Sequence, residues 1–282
     1  MMVVLYSAEN FKDFVKNLVS PQFSSIHFTS SKEEKLQGLK DTAAFLTDLS
    51  DRQNLETLRD AEKVNLVLPV REESKNLDLQ SHIQNLKNSE NTRLGSYILA
   101  NHKETDKTFK ASLIDSSERW SHIEEIGNFA HGMNCFDEFS EIVMTIASEL
   151  LTNAFYNGPM KNGKAVETDR TKNIAIDEKR PVRLSYGDDG EHFWIQVSDP
   201  FGTFNRRTLV SKLLECVSKD QVDVNFGTGG AGIGLYMVFM WASQLLFQFD
   251  PTQETSVMVK LKKTKRRKSF DSERTVLEVL QK

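Results

Sequence analysis

The stretch "FDEFSEIVMTIASELLTNAFYNGP", residues 136–159, is the one whose reading decides the fold. Its apolar residues recur at helical spacing, and Gly158-Pro159 closes the run as a helix terminator. Glu149, Asn153 and Asn157 are spaced four apart, so all three lie on one helical face. Leu150, Leu151, Ala154 and Phe155 fall on the opposite, core side. A carboxylate and a carboxamide one turn apart suit a magnesium–nucleotide site. The carboxylate can accept a proton from an attacking hydroxyl or water, and the amide oxygen can ligate a hard cation. Taken alone, the triplet reads as an ordinary solvated helix face.

Two further features follow in order. Asp199 ends the alternating stretch "FWIQVSD" and is followed by Pro200, Phe201 and Gly202. A carboxylate at a strand end can accept from an exocyclic amine, or can form an Asx turn. Then comes "NFGTGGAGIGLYMVFMWASQLL", residues 225–246, in which glycines lead directly into an apolar run. Glycines supply tight turns. A glycine-rich loop at a helix N-terminus also lets backbone N–H groups converge on a phosphate.

Around these features the chain is ordinary in composition. Its 282 residues suggest two domains, and a net charge of −4 argues against nucleic acid as the main partner. Cys135 and Cys216 are the two cysteines and show no pairing pattern, so reduced cytoplasmic thiols are expected. The N-terminal apolar run is too short for a signal peptide. The longest apolar run, Leu235 to Phe249, is interrupted by Ser243, Gln244 and Gln248, so no membrane association is expected. The basic run "KKTKRRK" reads as a solvated tail.

Residues 1–103 alternate short apolar stretches with helical spacing, as in "MVVLYS", "SSIHFTS", "TAAFLTDLS", "VNLVLPV" and "GSYILA". Five strands alternating with helices predict a doubly wound parallel sheet. Residues 104–263 change character. "TFKASLI" reads as a strand and "SSERWSHIEEIGNFAHGM" as a Ser-capped helix. "RPVRLSYGDDGEHFWIQVSD" reads as two strands joined at an Asp-Gly turn, and "LLFQFDP" with "TSVMVKLK" as a terminal hairpin. An α/β sandwich is expected there, one helical layer on a mixed, mainly antiparallel sheet. Residues 264–282 form a basic tail with helical character.

The order of these elements resembles the GHKL ATPase superfamily, which includes gyrase, heat-shock chaperones, histidine kinases and MutL. "ASELLTNAFYNGP" is similar to its N box, "VSDPFGTF" stands where the first glycine box belongs, and "GTGGAGIGL" where the second does. The stretch "FKASLIDSSERWSHIEEIGNFAHGMNCFDEFSEIVMTIASELLTNA" resembles the anti-sigma-factor serine kinases in particular, and the likeness extends over residues 107–262. The resemblance implies ATP and Mg2+ as cofactors, with Glu149 as the base and Asn153 as the metal ligand. It implies that Asn157, Asp199, Gly202, Thr228, Gly229, Gly230, Gly232, Gly234 and Ser256 bind the nucleotide. Asp199 would take the adenine amino group, Ser256 would support it, and residues 205–228 would form the lid. The family's first glycine box reads Asp-x-Gly-x-Gly; here Phe201 and Thr203 take the glycine positions.

The function so implied is a cytoplasmic protein serine/threonine kinase acting on a small regulatory protein, anti-anti-sigma-like or sigma-like. The other reading is an ATP-dependent binding switch without catalysis. A homodimer is left open. His122 does not make a self-phosphorylating histidine kinase, because only 27 residues separate it from Glu149 and one helix and a loop use them. Residues 1–103 resemble a response-regulator receiver, with Asp48 at the phosphoacceptor position. The acidic pair is replaced by Ser7-Ala8 and the lysine by Ala100, so a regulatory module without phosphotransfer is expected.

Overall fold

The structure, a computed structural model, describes residues 2–5, 26–29, 45–47, 66–69, 107–161, 164–217, 233–250, 253–271 and 276–281. The chain divides into two compact units. In the first unit, β1 (Met2–Leu5), β2 (Ile26–Thr29), β3 (Phe45–Thr47) and β4 (Leu66–Pro69) pair in parallel in the order β2-β1-β3-β4. Asp48, Ser7, Ala8, Ala100 and the fifth strand expected at 95–100 lie outside the described residues.

The second unit is an α/β arrangement. It opens with β5 (Thr108–Leu113), followed by α1 (Arg119–His131) and α2 (Phe139–Thr152). A two-residue hairpin of β6 (Met160–Lys161) and β7 (Lys164–Ala165) precedes β8 (Val182–Asp188) and β9 (His192–Asp199). The next helix, α3 (Arg206–Val217), belongs to the first unit, and the second resumes with α4 (Ile233–Trp241), β10 (Gln244–Asp250), β11 (Glu254–Lys262) and the short α5 (Arg267–Asp271). Five strands form a sheet in the order β10-β11-β9-β8-β5, and every pairing is antiparallel. The sheet expected as mixed and mainly antiparallel is antiparallel in these described pairings. The β8–β9 and β10–β11 neighbours are hairpins, and β8, reached from β5 by way of α1 and α2, also runs antiparallel to it.

Local chemistry accounts for these elements. The serine expected as a helix cap does not serve as one; Asp115 caps the short 3-10 turn Ser116–Glu118 that leads into α1. Its carboxylate accepts from the Ser117 N–H at 2.8 Å, and Glu118 Oε1 accepts in return from the Asp115 N–H at 2.9 Å, a capping box. Ser116 is engaged elsewhere, its hydroxyl accepting from the Ile174 N–H at 2.8 Å. The β8–β9 turn needs a left-handed residue, which Gly190 supplies at φ 98°. Asp189 Oδ1 accepts from the His192 N–H at 2.7 Å inside that turn, while Lys263 clasps Asp188 at 2.7 and 2.8 Å.

The core lies between the sheet and the helices. Phe139, Val143, Ile146, Ala147, Leu150, Leu151 and Phe155 of the α2 region are buried, and so are Phe193, Ile195 and Val197 of β9. Each fully buried large apolar side chain of this kind contributes about 1.5–3 kcal/mol. Phe129 of α1 meets Tyr186 and Phe193 at ring-centroid distances of 5.6 and 6.4 Å, so the odd-numbered β9 residues face the helices. The apolar α4 buries Leu235, Val238 and Phe239 but exposes Met240. Of the tail expected as basic and helical, Arg267–Asp271 is the helix α5, whereas β12 (Val276–Gln281) is a strand that runs antiparallel to β4 in the first unit. Among the described residues no helix is long and apolar enough to cross a membrane.

Candidate functional site

The site begins on the last turns of α2. Glu149 and Asn153 are half-buried, and Asn157 is exposed. Asn153 Nδ2 donates to Glu149 Oε1 at 2.9 Å, and Asn157 Nδ2 donates to Asn153 Oδ1. A carboxylate can only accept, so the Asn153 amide must turn its NH2 toward Glu149. Its oxygen then faces Asn157, and the three side chains form a polarised ladder. That oxygen keeps a second lone pair, as a metal ligand requires.

α2 does not end as an α-helix. Residues Asn153–Asn157 form a π-helical turn, closed by Gly158 N–H donating to Asn153 O at 2.8 Å. Such turns cost regularity and occur often at functional sites. Here the wide turn is held from two sides. On one side Arg119 donates to Thr152 Oγ1 at 2.8 Å and to the Tyr156 hydroxyl at 3.2 Å, with its guanidinium 4.7 Å above the Tyr156 ring. The Tyr156 hydroxyl in turn donates to Lys172 O at 2.7 Å, tying in the loop that follows. On the other side Thr203 donates its hydroxyl to Gly158 O at 2.7 Å.

Gly158 also accommodates Phe201, which stands where a glycine was expected. A Cβ at Gly158 would lie 2.8 Å from the Phe201 ring, so the ring occupies the space that this glycine leaves open. Bulk at position 201 is thus accommodated by lack of bulk at 158. Gly202 takes a left-handed φ of 60°, a backbone state that suits glycine.

Asp199 stands at the end of β9 and is 8% exposed. Its Oδ1 accepts from the Phe201 N–H at 2.9 Å, an Asx turn. Burial pushes its carboxyl up to about 7, and the nearby Glu254 charge acts in the same direction, against the pull of the Phe201 and Gly202 N–H groups. Arg180 braces this corner, donating to Pro200 O and, at 2.8 Å, to Gln253 O.

Strand register decides which neighbour Asp199 has. Asp199 pairs with Thr255, and Ser198 pairs with Ser256. Side chains alternate faces, so Asp199 and the buried Thr255 share the helix-facing side. Ser256, expected beside Asp199, lies on the opposite face, where its hydroxyl is 2.6 Å from that of Ser198 and donates to Glu254 at 2.8 Å. The hydroxyl in register with Asp199 belongs to Thr255, which was missed because residues 255 and 256 are both small hydroxyl residues.

Gly234 is the remaining site residue within the described part of the second unit. It lies in the first turn of α4, and a Cβ there would overlap both carboxylate oxygens of Glu149. The last glycine of the loop and the base expected from the N box are therefore direct neighbours. Thr228, Gly229, Gly230 and Gly232 lie outside the described residues. Of the segment expected to form a lid, Arg206–Val217 is α3. His122 lies on α1 and pairs with Glu125 at 3.0 Å.

No protein-family model matches this chain, and no curated protein matches it.

Proposed function

We propose that this chain binds magnesium ATP in its second unit, as a GHKL-type domain, and transfers the terminal phosphoryl group to a serine or threonine of a regulatory protein. The observation that carries this reading is the meeting of the Glu149–Asn153–Asn157 ladder with Gly234 at the start of α4. A carboxylate, an amide oxygen and the opening turn of a helix converge there. The buried Asp199, with Thr255 beside it in register, supplies a separate acceptor for an exocyclic amine.

The donor set fits magnesium, because hard oxygen from Asn153 stands next to a carboxylate and no soft ligand is needed. When bound, the ion would neutralise charge on the phosphates. In this reading Asn153 holds the cation, and its NH2 keeps Glu149 oriented. Glu149 accepts the proton of the attacking hydroxyl as the oxygen–phosphorus bond forms, and ADP departs as the bond to the bridging oxygen breaks. Positioning supplies most of the rate, as is usual in phosphoryl transfer.

A second reading rests on Phe201, whose ring fills the space over Gly158 where the family has a glycine. There ATP orders the site and changes affinity for a partner without chemistry. Two substitutions separate the readings. Glu149→Gln keeps the shape of the side chain and still accepts from Asn153, so ATP binds while turnover falls about 10²–10⁴-fold. Asn153→Ala lowers binding and turnover together. Calorimetry with magnesium present that detects neither ATP nor ADP sinks both readings. Bound ATP with no transfer to protein or water, and a Glu149→Gln variant that binds partners like wild type, leaves the switch.

A further inference from the structure

Gly234 was expected to serve the phosphate loop, but its described neighbour is a protein carboxylate. A Cβ at this position would overlap Oε1, Oε2 and Cδ of Glu149 at once. No comparable crowding surrounds Gly190, where an added Cβ meets nothing within 4 Å. Glu149 is also held from its own helix, through Oε1 and the Asn153 NH2 at 2.9 Å. The carboxylate is thus fixed between two contacts, one hydrogen bond along α2 and one bare backbone surface on α4. We infer that Gly234 is a positioning residue, whose missing side chain forms the seat that holds the Glu149 carboxylate in the site.

This inference rests on the proposed role of Glu149 for its consequence, but not for its geometry. A carboxylate is the far end of a flexible side chain, so it can be pushed aside without breaking the fold. Gly234→Ala therefore leaves a folded protein with a displaced Glu149. A displacement on the order of 1 Å at a reacting group lowers turnover about 10²-fold. Alanine is also the better helix residue, and that gain stands alone once the carboxylate is gone.

The experiment is a double-mutant cycle of Gly234→Ala and Glu149→Ala on the full chain, read by thermal unfolding without nucleotide. The expected result is a Tm change for Gly234→Ala that is more positive in the Glu149→Ala background than in wild type. Equal changes in the two backgrounds overturn the seat. In parallel, Gly234→Ala should lose about 10²-fold in turnover when Glu149 is present and show no further loss in the Glu149→Ala background. Unchanged turnover, or a loss of ATP affinity with additive Tm changes, overturns the positioning role and returns Gly234 to the phosphate loop. If wild type shows no turnover at all, the kinase reading fails by itself. The thermal cycle still decides the seat.

Discussion

Asp199 places a titrating group where water is scarce. Its carboxyl stands at about 7 in the folded chain against 3.8 ordinarily, so between these values the folded state keeps a proton that the unfolded state has released. Stability then falls as pH rises through that window and levels off above it. Asp199→Asn keeps an oxygen for the Phe201 N–H and removes the charge. We expect this variant to gain Tm over wild type at pH 8 and to lose that advantage near pH 4. Parallel Tm curves across the range would show that Asp199 does not titrate there. The same substitution should weaken ATP more than bare triphosphate, as competition calorimetry can test, because only the contact to the base is altered.

The π-helical turn at the end of α2 is the element on which the candidate site depends. Arg119 braces it with two side-chain hydrogen bonds and a ring contact. Arg119→Ala leaves the Thr152 hydroxyl, which is buried, without that donor. A loss of about 1–3 kcal/mol is expected in urea unfolding. Arg119→Lys should recover little of it, since a single ammonium cannot reach both hydroxyls and cover the ring as a guanidinium does. Full recovery by lysine would mean that charge, rather than the fork geometry, is what counts. At this scale the sequence was informative where periodicity is local. The α2 spacing identified both its buried face and the Glu149–Asn153–Asn157 face. It did not reveal the π turn, which is stabilised by Arg119 from one distant segment and Thr203 from another.

Across the whole molecule, a parallel set of strands and an antiparallel sheet belong to different units. On the receiver-like reading of residues 1–103, Ser7-Ala8 and Ala100 stand where phosphoryl transfer to Asp48 would need an acidic pair and a lysine. Incubation of the full chain with acetyl phosphate should therefore leave its intact mass unchanged. A stable added phosphoryl group that disappears in Asp48→Ala would contradict this. The basic run after β11 is partly consumed within the second unit. Lys263 pairs with Asp188, and Arg267 pairs with Asp271 while lying 5.3 Å over the Phe136 ring.

The sequence by itself determined the amphipathic α2, the strand that ends at Asp199 and the β8–β9 turn at Gly190. Each of these is encoded in neighbours a few residues apart, because a 3.6-residue or two-residue period assigns every side chain to a face. The tertiary structure alone decided that Thr255 rather than Ser256 accompanies Asp199, that Asp115 caps the 3-10 turn leading into α1, that Phe201 fills the space over Gly158, and that Gly234 abuts Glu149. Those outcomes depend on strand register and on the approach of segments far apart in sequence. A shift of one residue exchanges the two faces of a strand, and nothing in local spacing records which register packing will select.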